Sequence, residues 1–169
     1  MYNRGMKEPS VASPPAWRIV AAFLFAPLFA ALAIGWMQPM FFGMPSITER
    51  VLRSTFFYAT FGAYPPAIAL GVPIFLILRK RTRTSIGNCA AFGAIIAVTP
   101  WVLLDLMLEN AGSSSMGGHA TTIDGVRTIW GWLYFLRFLL DVAAFGALGG
   151  LAFWVIAAAG IGRSARAPE

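Results

Sequence analysis

The sequence predicts an all-α integral membrane protein whose four transmembrane helices form one bundle. Of its 169 residues, 58% are hydrophobic and only 12% are charged, whereas about a quarter of the residues in soluble domains are charged. The apolar residues fall into four runs, each near the roughly 20 residues that a spanning helix needs. Four such helices and their connections use the chain, so we expect one domain and no separate soluble module.

The basic residues indicate which side of the membrane each connection faces. Most of the thirteen Lys and Arg residues flank the chain start, the connection after the second run, or the chain end. Because cytoplasmic connections are enriched in Lys and Arg, we expect both termini and this connection in the cytoplasm. The expected divisions are a disordered cytoplasmic tail at 1–16, a transmembrane domain at 17–162 with spans at about 18–38, 51–78, 86–108 and 138–161, and a cytoplasmic tail at 163–169.

A net charge of +6 would suggest a nucleic-acid partner for a soluble protein. Here the charges adjoin apolar runs, so the expected partner is the lipid bilayer with its anionic headgroups, and not nucleic acid. We expect a multi-pass protein of the plasma membrane, in a bacterium the inner membrane.

The first apolar run is Ile19–Met37. A secretory signal peptide is the alternative interpretation, because Ala31-Leu-Ala33 resembles a cleavage site. The run is long enough to span and stays apolar beyond that site, which favours an uncleaved helix. The following loop, 38–45, contains two prolines and one glycine yet is apolar, so we expect it in the membrane interface.

The second helix opens at Ser46 and Glu49, whose spacing is that of a capping box. Further along it carries three prolines, each of which lacks an N–H and leaves a carbonyl about one turn earlier without its partner. In lipid such a carbonyl must be satisfied by a neighbouring helix or by water. A kink is one interpretation, and a broken helix that lines a ligand or ion site is the other. The candidates for the break are Tyr64, Pro65, Pro66 and Pro73.

The third helix is expected from Ile86 to about Leu108. The segment 110–119 is rich in glycine and serine, which predicts a flexible linker. Thr121 and Asp124 have the spacing of a weaker capping box, which is expected to open the fourth helix.

Four charged residues are the candidates for a polar site: Asp105, Glu109, Arg137 and Asp141. Counting along each helix from its cytoplasmic end places Asp105, Arg137 and Asp141 at a similar depth near the outer interface. We expect Arg137 to form a structural ion pair with Asp105 and Asp141, because pairing lowers the cost of charge in a membrane. The alternatives are a proton or cation site on the two aspartates, and a snorkelling Arg137 without a partner.

Gly146 and Gly150 lie on the face of the fourth helix opposite Arg137 and have the spacing of small residues that let helices approach closely. We expect them to pack against another helix of the bundle while the third helix packs on the polar face. Contact with a second copy of the chain is the alternative.

Few residues could carry chemistry. The chain has one cysteine, Cys89, and one histidine, His119, and it contains no HExxH, GxSxG or phosphate-binding glycine pattern. We therefore expect no catalytic residue, no metal site and no cofactor. Met40 and Met44 together with His119 are soft ligands that suit Cu(I), but methionines that fill interfacial gaps explain them as well.

The expected function is that of a non-enzymatic accessory or structural subunit, which packs against a larger membrane-protein partner or against itself. The alternative is a small oligomeric transporter or channel that uses the outer-leaflet carboxylates and the proline-broken second helix. An intramembrane enzyme is the third interpretation, and no nucleophile–base pair in the sequence supports it.

Overall fold

The computed structural model describes residues 14–78, 85–107, 112–157 and 159. Four of its helices are long and apolar enough to cross a membrane: Ala16–Met37, Ile47–Ile77, Ile86–Met107 and Ile129–Ala157. These are the first to fourth helices. The prediction of a mostly helical chain with four such helices is confirmed. Glu109, most of the two predicted tails and the basic connection after the second helix lie outside the described residues.

The first and fourth helices are joined at one end by Arg18. Its Nε donates to the carbonyl of Ile156 at 2.7 Å, and its Nη2 donates to that of Ala159 at 3.0 Å. The last carbonyls of a helix have no partner within the helix and carry partial negative charge. Arg18 therefore stabilises the end of the fourth helix, and it places the start of the first helix beside it.

The second helix begins as predicted at Ser46, but only half of the capping box forms. The Ser46 hydroxyl accepts a hydrogen bond from the backbone N–H of Glu49 at 3.5 Å. The Glu49 carboxylate does not return to Ser46, because it forms an ion pair of 2.8 Å with Arg53, one turn further along.

The loop before the second helix is held by polar side chains of that helix. The fully buried Ser54 hydroxyl accepts from the backbone N–H of Met40 at 2.8 Å. Arg50 donates to the carbonyls of Phe42 and Met44 at 3.1 and 3.2 Å. The helix thus supplies hydrogen-bond partners for the backbone groups of Met40, Phe42 and Met44 in the apolar loop. Backbone groups near lipid require such partners.

The second helix is not broken at its prolines. It alternates between α-helical and π-helical turns, in the order Ile47–Phe57 (α), Tyr58–Ala63 (π), Tyr64–Pro66 (α), Ala67–Gly71 (π) and Val72–Leu78 (α). The N–H of Tyr64 donates to the carbonyl of Ala59 and that of Val72 to the carbonyl of Ala67, each five residues back. One π-helical turn, which is wider than an α-helical turn, precedes Pro65 and Pro66, and the other precedes Pro73. The helix continues past both.

The segment predicted as a flexible linker forms a small antiparallel sheet instead. Its strands are β1 (Ser114–Met116), β2 (His119–Ile123) and β3 (Val126–Arg127), in the order β1-β2-β3. Gly117-Gly118 and Asp124-Gly125 form the two-residue turns, and all four residues have positive φ. Such turns require positive φ at both positions, which is why Asp-Gly and Gly-Gly form hairpins here.

The fourth helix consequently opens later than predicted. Thr121 and Asp124 belong to a strand and a turn, so the predicted capping box is wrong. The helix begins at Ile129, and the Thr128 hydroxyl accepts a hydrogen bond from the N–H of Gly131 at 3.2 Å. Thr128 is therefore the residue that satisfies a free N–H of the first turn.

The third and fourth helices make the closest contact in the bundle, and they do so at glycines. A methyl group on Gly146 would lie 2.5 Å from the carbonyl oxygen of Gly93, and one on Gly150 would overlap the carbonyl of Cys89. Gly146 and Gly150 thus contact the third helix. We expected that helix on the opposite face, with Arg137, and that placement is wrong because the glycines allow the closer approach.

Replacing Gly150 by Ala is expected to lower the free energy of unfolding by about 1–3 kcal/mol, because the added methyl has no room and the helices must separate. The measurement is the thermal unfolding midpoint of the purified protein in detergent. Gly87→Ala is the control, since a methyl there meets no atom within 4 Å. Equal midpoints for the two variants would contradict the close helix contact.

Candidate functional site

A cleft of about 370 Å³ lies between the four helices, and we call it the central cleft. Its described lining residues come from every helix. Half of the eight that the second helix contributes are glycine or alanine, namely Gly62, Ala63, Ala67 and Gly71. Glycine and alanine project little into the space beside a helix, so the second helix leaves a void where larger side chains would complete the close packing of a protein interior.

One end of the central cleft is polar. A methyl group on Gly149 would lie 3.4 Å from the Cβ of Ala30, which fixes the level of the first helix against the fourth. The two helices are antiparallel, so Gln38, eight residues beyond Ala30, lies level with Asp141, eight residues before Gly149. Gln38 and Asp141 both line the cleft.

Tyr58 brings the second helix to this polar end. Its side chain lines the cleft, and its hydroxyl donates to the carbonyl of Gln38 at 3.1 Å. A second tyrosine, Tyr64, joins the same two helices near Pro27, a proline inside the continuous first helix. The Tyr64 hydroxyl donates to the carbonyl of Leu24 at 2.6 Å.

The other end of the cleft is closed by aromatic rings. Phe23, Phe75 and Phe153 meet edge to face with ring centroids 5.0 to 5.8 Å apart. Asn88 lines the cleft near this end, and Trp101 lines it near the polar end. These two residues are thirteen positions apart on the third helix, so the cleft is about 20 Å long at ~1.5 Å per residue.

Asp141 is the only charged residue among the described lining residues. Its side chain forms no ion pair or hydrogen bond with the described residues. Trp101 and Phe138 line the cleft nearby, with their rings edge to face at 5.0 Å. A cation is attracted by the negative charge of a carboxylate and also by the face of an aromatic ring, where the π electrons lie. The polar end of the cleft can therefore bind a positively charged group.

The predicted ion pair between Arg137 and the two aspartates is not formed. Arg137 is exposed, and no contact within ion-pair distance joins it to Asp105 or Asp141 in the described part of the chain. The predicted polar site therefore separates into three parts. Arg137 is exposed, Asp141 is also exposed and lines the central cleft, and Asp105 has a different partner.

The partner of Asp105 is Arg127, which was not among the predicted site residues. The two side chains form a bidentate pair with N···O distances of 3.0 and 2.5 Å, and they are only 21% and 15% exposed. The Arg127 guanidinium also lies over the rings of Trp132 and Phe135, 4.9 and 4.6 Å from their centroids. Arg127 thus joins the sheet to the ends of the third and fourth helices.

Two of the residues considered as soft metal ligands have other contacts. The imidazole of His119 stacks on the indole of Trp130, with centroids 4.0 Å apart and planes 13° from parallel. Met40 donates its backbone N–H to Ser54. Within the described ranges, no group of three or more His, Cys, Asp or Glu residues lies close enough to hold a metal ion.

The central cleft has the features of a binding site, because it combines a long apolar surface with one carboxylate at its polar end. Sequence reasoning found Asp141, but not the cleft or the lining residues Gln38 and Tyr58. Comparison with family models, with curated proteins and with solved structures finds no match to this chain.

The pair of Arg127 and Asp105 is expected to contribute a coupling free energy of about 1–2 kcal/mol, because it is bidentate and mostly shielded from water. The measurement is a double-mutant cycle of unfolding free energies with Arg127→Ala, Asp105→Ala and both. The matched control is the cycle of Arg137→Ala with Asp105→Ala, whose losses should add. Additive losses in the first cycle, or coupling in the second, would contradict the assignment.

Proposed function

We propose that this chain is a multi-pass protein of the plasma membrane, in a bacterium the inner membrane, with both termini in the cytoplasm. Four apolar helices of spanning length support the membrane location. The basic residues of both tails and of the connection after the second helix support the orientation. On this orientation, the loop 38–46 and the small sheet face the outside.

Its function, in this proposal, is that of a small transporter for an apolar molecule with a positive charge. The observation that carries it is the central cleft with Asp141 at its polar end. A volume of about 370 Å³ lies in the range of small-molecule sites, which are mostly apolar with a few polar groups that fix orientation. An ionisable residue in or near a membrane is costly without a partner, so a cationic substrate is a fitting one for Asp141.

The second helix supplies the part that moves during transport. It contains π-helical turns at Tyr58–Ala63 and Ala67–Gly71, and such turns are frequent at functional sites. The small residues between the second helix and the cleft allow it to shift without a clash. This proposal describes no enzyme activity, since the site holds and releases its substrate without breaking a bond.

An accessory subunit is the second candidate, and Arg137 is the observation that favours it. This arginine projects from the fourth helix, exposed and without an ion pair among the described residues. A carboxylate on a membrane-protein partner, or on a second copy of the chain, would pair with it at the same depth. The Arg137→Gln variant should then reduce the mass of the purified complex, whereas transport does not require that residue.

Asp141→Asn is expected to reduce transport at least about tenfold, because the amide keeps the shape but loses the charge that binds the cation (about 1.4 kcal/mol per tenfold). The measurement is uptake of ethidium, a permanently charged apolar cation, into proteoliposomes. Asp124→Asn is the matched control, since Asp124 lies in the exposed turn between β2 and β3, outside the cleft.

Undiminished uptake by folded Asp141→Asn protein would contradict the role of the carboxylate. Absence of both uptake and ethidium binding in the unmodified protein would contradict the transporter. A stable complex of fixed mass that depends on Arg137 would then support the accessory subunit.

Labelling in whole cells tests the orientation. With Cys89 replaced by Ala, Ser115→Cys should react with a membrane-impermeant maleimide, because β1 faces outside. Ser85→Cys, at the start of the third helix, should react only after the membrane is permeabilised. The reverse pattern would invert the proposed topology.

A further inference from the structure

The polar end of the central cleft opens sideways, between the second and third helices. The contacts of these two helices concentrate in the segment Tyr64–Gly71, while the earlier part of the second helix packs on the first helix instead. Gly62 lines the cleft just before this contact zone, and a methyl group built on it meets no atom within 4 Å. On the third helix, Trp101 lines the same region and is 40% exposed.

A sideways opening in the spanning part of the bundle leads to lipid. From this geometry we propose that the substrate enters from the bilayer and is a single-chain amphiphile with a cationic headgroup, such as a long-chain amine. Its headgroup lies at Asp141 and its chain runs along the cleft toward Phe153. This inference rests on the transporter proposed above and names its substrate class and entry path.

The shape of the cleft favours one extended chain. It is about 20 Å long by helical rise, and a compact cavity of the same 370 Å³ would be less than half that length. Its walls between Asp141 and the ring cluster of Phe23, Phe75 and Phe153 are formed mainly by alanine, glycine, proline and branched or aromatic apolar residues, with Cys89 and Asn88 toward the ring cluster. A hydrocarbon chain needs no hydrogen bond from such walls, whereas a polar solute would leave groups unsatisfied.

The charge of the polar end selects the headgroup. Asp141 repels the phosphate of ordinary phospholipids and the carboxylate of fatty acids, and it attracts an ammonium group. The nearby ring of Trp101 adds an attraction for the same cation. Because lipid is as apolar as the cleft, moving the chain between them gains little free energy. Selectivity therefore depends on the headgroup at Asp141 and on the fit of one chain.

Binding to the protein in nanodiscs of zwitterionic lipid tests the inference. The probe is radiolabelled dodecyltrimethylammonium, measured as excess over empty nanodiscs, with two competitors of related structure: tetramethylammonium, which has the head alone, and dodecyl sulfate, which has the same chain with an anionic head. We expect saturable binding of the probe, no competition by the head alone, and at least tenfold weaker competition by dodecyl sulfate than by unlabelled probe.

Gly62→Leu tests the entry path, because the added side chain extends from a position with open space into the cleft mouth. The measurement is the rate of probe association, since equilibrium binding does not depend on the entry path, and Gly62→Leu should slow that rate at least tenfold. Gly87→Leu is the matched control, since Gly87 also has open space but does not line the cleft. Size-exclusion profiles of both variants establish that each is folded. Gly62→Ala adds only a methyl group and should slow probe association less than Gly62→Leu does.

The outcomes separate this inference from the function it rests on. If tetramethylammonium competes as well as the probe, or the probe associates with Gly62→Leu at the normal rate, entry from the bilayer is wrong while ethidium transport stands. If dodecyl sulfate competes equally, the headgroup assignment is wrong. If ethidium is transported and the probe does not bind, the single-chain substrate class is wrong; if ethidium is neither taken up nor bound, the transporter itself fails.

Discussion

The close approach of the third and fourth helices at Gly93, Gly146 and Gly150 sets the shape of this bundle. At these glycines a methyl group would overlap backbone atoms of the other helix, so the two helices form a closely packed pair. Helices in lipid gain little from burying apolar surface, so such close van der Waals contact is the main source of their association. The first helix adds to this pair through Gly149 and through the hydrogen bonds of Arg18 to the end of the fourth helix.

The third and fourth helices, packed closely together, form one side of the central cleft. The second helix is held to the first by Ser54, Tyr58 and Tyr64, which bond backbone groups of the first helix or of the loop after it. Its contacts with the third helix concentrate around Tyr64–Gly71. Gly62, Ala63, Ala67 and Gly71 of the second helix line the cleft that remains between the helices. The π-helical turns lie in this same part of the second helix.

The two aspartates that the sequence singled out have different surroundings. Asp105 and Arg127 neutralise each other, and together they hold the small sheet against the helix ends. Asp141 is exposed, lines the central cleft and has no such partner among the described residues. That contrast distinguishes the two aspartates: one is paired within the protein, and the other is the residue to which our proposal assigns the substrate.

The sequence alone determined the number of long helices, their approximate bounds, the cap at Ser46 and the importance of the glycines, because each depends on local composition or on spacing within one segment. It also singled out Asp105 and Asp141. Only the tertiary structure decided that Arg127 rather than Arg137 pairs with Asp105, because the Asp-Gly and Gly-Gly turns fold a presumed linker into a sheet and carry Arg127 to the helix end. The cleft likewise depends on the distances between the four helices. The residue pattern within one helix does not predict the distance to a neighbouring helix.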